Sequence, residues 1–311
     1  KTMRIYILTQ VLAILSLAIA DTSLPYPSHH VIDGDLYIIV IFGLTSNGCK
    51  DIKLSHSFQY MEAVDLALQH INTHQGQFED LGVKIGAIIM DDCSSADRGY
   101  QLTKEFYEGV LLVNDSTGAR IEPDQIVGFV ASPTSDRTMK VAEYLKTTKT
   151  ALVAPFATSP QFSDRTRFPY VVRTVPSDSK QGPAFAAFFM SLGWPNVHVI
   201  IEDESSYTRD LANTFKETFE KEEQGRCIAS THMLNSSQAR YHNEQIISAI
   251  INSSSKSDIV LYLAIEIKGL LEAKEKYLGN EKAKRLIFIG PEGWGRTENV
   301  VKGHEKAAKG S

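Results

Sequence analysis

The sequence predicts an α/β protein built on doubly wound parallel sheets, and three observations lead there. Nearly continuous apolar runs such as Leu36–Leu44, suited to strands buried on both faces, alternate with amphipathic helical stripes. One stretch breaks the rhythm: Pro155–Asp178, PFATSPQFSDRTRFPYVVRTVPSD, sets a small hydroxyl loop after an apolar strand and a carboxylate at the next helix start. Finally, 311 residues, 43% of them hydrophobic, suffice for two lobes with separate cores.

The elements follow in order. Leu36–Leu44 reads as a strand, and Ser57–Asn72 as a helix whose stripe is Phe58, Met61, Val64, Leu68 and Ile71. Strand Val83–Met90, helix Ala96–Val113, strand Ile126–Val130, helix Arg137–Lys146 and strand Ala151–Ala154 come next. After the extended run Tyr170–Thr174, the alternation resumes with helix Lys180–Leu192, strand Val197–Ile201, helix Tyr207–Glu223 and strand Cys227–Met233. Helix Tyr241–Ile251, strand Ile259–Leu263, helix Ile267–Tyr277 and strand Leu286–Ile289 complete the set. The lobe boundary falls near Thr174–Ser177, giving lobes over 34–174 and 175–311. Asn114–Pro123 is a polar surface loop and Asn252–Ser257 a polar turn.

Residues 1–20 read as a secretory signal peptide. One basic residue precedes an apolar core, and Ala18-Ile19-Ala20 is a small-x-small cleavage site. A membrane anchor would need ~20 uninterrupted apolar residues, and Thr9, Gln10 and Ser16 interrupt the run. Lys1-Thr2 before Met3, the plausible initiator, suggests a partial or untrimmed sequence, and 21–33 is a polar leader. Three N-x-S/T sequons, at Asn114, Asn235 and Asn252, suit a secretory route as glycosylation sites. Of three cysteines, Cys49, Cys93 and Cys227, at least one is a free thiol, bonds another chain, or lacks its partner.

Composition and motifs narrow the function. A net charge of −5 without a Lys/Arg stripe argues against a nucleic-acid partner. The nine histidines do not cluster at metal-ligand spacing. There is no GxSxG, HExxH, phosphate-binding loop, GxGxxG or CxxC, so neither enzyme chemistry nor a cofactor is expected. Because ligands sit outside the carboxyl ends of strands in α/β sheets, the Thr158-Ser159 hydroxyls and Asp178 suggest a site for a small zwitterion.

Five segments carry a family resemblance: GDLYIIVIFGL (34–44), EAVDLALQHIN (62–72), GVKIGAIIMDDCS (82–94), ATSPQFSDRTRFPYVVRTVPSD (157–178) and FIGPEGWGRTENVVKG (288–303). In order and spacing the chain resembles the extracellular ligand-binding domain of class C G-protein-coupled receptors, metabotropic glutamate receptors most closely. The resemblance implies a two-lobed clamshell of the type I periplasmic-binding-protein kind, with its C-terminal part missing. Such a clamshell closes on a free amino acid.

Carried over residue by residue, Ser135 would bind the ligand α-carboxylate at a helix N-terminus, although a Ser there is equally a plain cap. Thr158, beside the Ala157 backbone, would contact the amino-acid moiety; it could otherwise be an ordinary turn residue. Asp178 would pair with the ammonium, or merely complement a helix dipole. Tyr207 would stack on the ammonium, or be a core tyrosine. Glu292 stands where glutamate-binding members carry Asp. Tyr60 replaces the Arg that grips a side-chain carboxylate, with His56 one turn earlier, so the resemblance implies an amino acid that is not preferentially glutamate, a small or apolar side chain fitting better.

It also implies a Cys49–Cys93 disulfide, a Cys227 whose partner lies in a cysteine-rich domain beyond Ser311, dimerisation through lobe 1, and a G protein engaged through absent membrane helices. The competing readings are a free secreted solute-binding protein and the peptide-binding domain of a receptor guanylate cyclase.

Overall fold

The structure, a computed structural model, describes residues 29–52, 56–73, 82–203, 205–221, 225–235, 239–295 and 300–310. The expected signal peptide lies outside them. The described chain forms two compact units. One runs to Ala157 and includes Phe162–Val175; the other takes Thr158–Gln161 and everything from Pro176 onward.

In the first unit the elements are β1 (His29–Ile32), β2 (Leu36–Phe42), β3 (Thr45–Ser46), β4 (Asp51–Ile52), α1 (His56–Thr73), β5 (Ile85–Asp91), α2 (Ala96–Tyr107), β6 (Ile126–Val130), α3 (Ser135–Thr148), β7 (Leu152–Ala154) and β8 (Val171–Arg173). Its main sheet has the order β1-β5-β2-β6-β7-β8. Every pairing is parallel except β1 on β5, where Val31 faces Ile88. The continuous apolar run of β2 is explained by burial on both faces. Tyr37, Ile39 and Ile41 join a core with Leu102, Phe106, Met139 and Leu145, while Val40 and Phe42 join a second core with Leu68.

Two sequence expectations are corrected here. The leader is not all outside the fold, since His29–Ile32 forms β1. Half-buried and only four residues long, it lacks the apolar run that marks the inner strands. Helix α2 stops at Tyr107 rather than Val113. Leu111 and Val113 keep the apolar period, but Gly109 turns left-handed at φ 71° and ends it.

In the second unit the elements are α4 (Asp178–Ser191), β9 (Asn196–Glu202), α5 (Ser206–Phe219), β10 (Cys227–Leu234), α6 (Ala239–Asn252), β11 (Ile259–Leu263), α7 (Lys268–Glu275), α8 (Glu281–Arg285), β12 (Ile287–Ile289), α9 (Glu292–Gly295) and α10 (Glu305–Ala308). The four strands are parallel in the order β10-β9-β11-β12. Helices α4 and α5 pack one side through Phe189, Phe215 and Phe219, and α6 and α7 pack a second core with Tyr262 and Trp294.

The α4–α5 contact depends on a missing side chain. A Cβ on Gly182 would stand 2.2 Å from Thr214 Oγ1 and 2.6 Å from the Phe215 amide. Deeper in the unit, Lys274 is wholly buried and donates to the carbonyls of Leu286 and Ala307, 2.7 Å each. Its ammonium also lies 5.2 Å from the Phe288 ring centroid, and burial lowers its pKa to about 8. His198 is likewise buried, on β9, with Nδ1 2.7 Å from Ser230 Oγ, which is 2.7 Å from His232 Nε2.

Two outcomes follow from this packing. Gly182→Ala should lower stability by about 1–3 kcal/mol through overpacking, read as a drop in the urea midpoint; an unchanged midpoint would show that the helices separate freely. Burial, with Lys282 and His232, lowers the His198 pKa from 6.5 to about 4. Between those values the unfolded chain binds the extra proton, so stability is full above pH ~6.5 and falls as pH drops toward 4. His198→Gln should flatten that part of a thermal-stability profile.

Candidate functional site

Four of the residues implicated by sequence come together in the second unit. Asp178 is the first residue of α4, capped by the Ser177 hydroxyl, and only 1% exposed. A carboxylate at a helix N-terminus is favoured by the dipole, but burial at this depth needs donors as well. Thr158 supplies one, its hydroxyl donating to Asp178 Oδ2 at 2.8 Å. The Asp178 amide donates back to the Thr158 carbonyl at 2.9 Å. On the other side, Thr214 Oγ1 of α5 donates to the Asp178 carbonyl at 3.1 Å.

Tyr207, in the first turn of α5, donates its phenol to Glu292 Oε1 at 3.2 Å. Glu292 opens α9 and is exposed; its Oε2 accepts from Gln181 Nε2 of α4 at 2.6 Å. Neither donor cancels the Glu292 charge. Burial first, then the negative charges of Glu292 and Asp178, push the Tyr207 phenol far above its ordinary pKa, so it stays protonated. Two carboxylates thus bear on one half-buried aromatic ring, an arrangement suited to an organic cation.

Sequence reasoning missed the supports of this cluster. Gln181 orients Glu292. Asp210, one turn beyond Tyr207, accepts from Ser159 Oγ at 2.6 Å and Gln161 Nε2 at 2.9 Å, so it holds Thr158–Gln161 against the second unit. Nothing in the local pattern marks either residue, because each acts across a tertiary contact. The His198–Ser230–His232 chain was also unforeseen. It lies within β9 and β10, not at the carboxyl ends of strands where sites in such sheets form.

The first unit holds the others. Ser135 is the first residue of α3 and buried, while Thr134 takes the N-cap position. The plain-cap alternative for Ser135 is therefore corrected: the half-in position belongs to its neighbour. Ala157 is fully buried. Tyr60, half-buried on α1, has its ring 6.0 Å from Phe42 and 5.4 Å from Phe156. His56 opens α1, and its side chain lies outside the described residues.

Beside them, Asp91 fixes the turn after β2. It accepts from the amides of Leu44 (2.9 Å), Thr45 (3.3 Å) and Cys93 (2.9 Å) and from the Thr45 hydroxyl (2.6 Å). That turn leads to Cys49, and Cys49 and Cys93 form a disulfide. Buried Asp92 pairs with Arg137 at 3.0 Å and accepts from Ser132 at 2.7 Å. Cys227 is exposed and free, donating to Asn196 Oδ1 at 2.8 Å. Asn114 and Asn252 are exposed; Asn235 is half-buried, and the two serines after it lie outside the described residues. Among the described residues no group of three metal-ligating side chains could hold an ion, and no helix is long and apolar enough to cross a membrane.

A family model described as the receptor family ligand binding region matches residues 59–309. The chain belongs to that family, whose members are periplasmic-binding-protein-like ligand-binding regions of class C G-protein-coupled receptors and related receptors. The two α/β units with mostly parallel sheets are the fold expected of it.

Removing the Thr158 hydroxyl leaves a buried carboxylate oxygen short of a donor. Thr158→Val should therefore cost about 1–3 kcal/mol of stability, measured by thermal unfolding. Thr158→Ser should recover most of it, and equal losses in both variants would show that the bond to Asp178 contributes nothing.

Proposed function

We propose that this ligand-binding region is the amino-acid-sensing extracellular domain of a metabotropic glutamate receptor-like class C G-protein-coupled receptor. It binds a free α-amino acid, is not selective for glutamate, and performs no catalysis. The observation that supports this most is the Thr158–Asp178 and Tyr207–Glu292 pairing, two carboxylates and an aromatic ring suited to an α-ammonium. Ser135, at the N-terminus of a 14-residue helix, suits an α-carboxylate. Binding shifts the population toward a closed form, and the signal passes to a G protein through membrane helices, with pairing of receptors through the first unit. Exposed Asn114 and Asn252, with Asn235, are the proposed glycan sites on the extracellular side of the cell membrane.

A thermal-shift panel of free amino acids on the purified ectodomain tests the reading. A true ligand at 100 times its Kd adds about 2.7 kcal/mol to stability, a rise of several degrees in Tm. Glu292→Gln should weaken binding roughly 10- to 100-fold, the range of a lost charge-assisted contact. A panel in which peptides raise Tm and no amino acid does would sink it.

A further inference from the structure

Tyr241, Gln245, Ser248 and Asn252 follow one another along α6 at the spacing of a single helical stripe. Asn252 is the last residue of the helix and is exposed, as is Ser254, which completes the sequon Asn252-Ser253-Ser254. Asn252 Nδ2 donates to Ser248 Oγ at 3.4 Å, so the amide lies back along the stripe. From Asn252 to Tyr241 the helix runs ~16 Å, three turns.

The stripe leads into a groove. Tyr241, Glu244, Gln245, Ser248 and Ala249 of α6, with Tyr277 just beyond α7, line an open groove of about 450 Å³. Tyr241 is 65% exposed. Tyr277 is anchored: it packs on the core of Tyr262 and Trp294, its amide donates to the Lys274 carbonyl at 2.9 Å, and its carbonyl accepts from the Asn280 amide at 2.8 Å. Glu244 pairs with Lys276, so it offers acceptor oxygens without an unbalanced charge. Two phenols, an amide, a hydroxyl and a paired carboxylate suit a sugar. The C–H faces of pyranose rings lie on aromatic rings, and the hydroxyls find polar partners beside them. An apolar helix docked there would bury Gln245, Ser248 and Glu244 without partners.

We propose that this groove holds the N-glycan attached at Asn252 of the same chain. This rests on the extracellular placement above and adds a docking site for the sugar. Attachment, from a lipid-linked oligosaccharide donor, replaces one of the two Nδ2 hydrogens; the other keeps the bond to Ser248. The first two N-acetylglucosamine rings, each advancing roughly a helical turn of 5.4 Å, lie over Ser248, Ala249 and Gln245. The mannose that follows reaches Tyr241 and Tyr277. One sugar–tyrosine contact is weak, but a short tether raises the effective concentration to the mM range, where a weak contact suffices. The docked glycan covers the exposed ring of Tyr241 and bridges α6 to the end of α7.

The test uses the purified ectodomain secreted with uniform oligomannose glycans. Glycopeptide mass spectrometry follows its trimming by an endoglycosidase that cuts between the two N-acetylglucosamine rings. Asn252 should be occupied, and Tyr241→Ala should speed the cut there at least about threefold as the tethered contact is lost. Trimming at Asn114 should not change. Tyr241→Phe keeps the ring and should keep the slow rate. Ser254→Ala removes the sequon while leaving Asn252 and Ser248 in place, and it should raise the rate of Tyr241 iodination by a similar factor. A cut at Asn252 equally fast with and without the Tyr241 ring overturns the docking site and leaves the extracellular reading standing. So does a bare Asn252 beside a glycan at Asn114 or Asn235. Three bare asparagines overturn both.

Discussion

Burying the carboxylate of Asp178 constrains everything around it. A charge at 1% exposure survives only with donors at hand, and Thr158 supplies one while the two backbones exchange a second bond. Thr214 secures the same residue from α5. One residue, through its carboxylate and its backbone, therefore ties the loop, the start of α4 and α5 together. Tyr207 and Asp210 are thereby placed one turn apart along α5, each reaching a different partner. The helix contact at Gly182 serves the same end, since a larger residue there would push apart the two helices that carry the carboxylate and the ring.

The first unit solves a similar problem with two neighbouring aspartates. Asp91 spends no charge on a cation; four neutral donors from the turn after β2 and from Cys93 surround it. Asp92 takes Arg137 instead, although burial still raises its pKa. Breaking that pair would leave an uncompensated buried charge, a loss of about 3–5 kcal/mol. The disulfide Cys49–Cys93 closes over the same corner.

Much of this was legible in the sequence. Inner strands such as Leu36–Phe42 and Ile259–Leu263 announce themselves because burial on both faces leaves a continuous apolar run. Thr158, Asp178, Tyr207 and Glu292 could be named through family resemblance, three of them within the recognisable runs 157–178 and 288–303. What could not be read was held by distance along the chain: Gln181 reaches Glu292 over 111 positions, and Asp210 reaches Ser159 over 51. Nor could the end of α2 be read, because one left-handed glycine outweighs an apolar period that continues past it. The short polar β1 escaped notice because its pattern resembles a linker.

That strand has a practical side. β1 covers the outer flank of β5 along Ile32 to His29, pairing with Ala87 to Met90. A shortened recombinant chain beginning at Gly34, where the obvious apolar run starts, would strip this cover. β5 would then present a bare row of amide and carbonyl groups on a strongly hydrophobic strand, a template for edge-to-edge aggregation. For expression, the domain begins no later than His29.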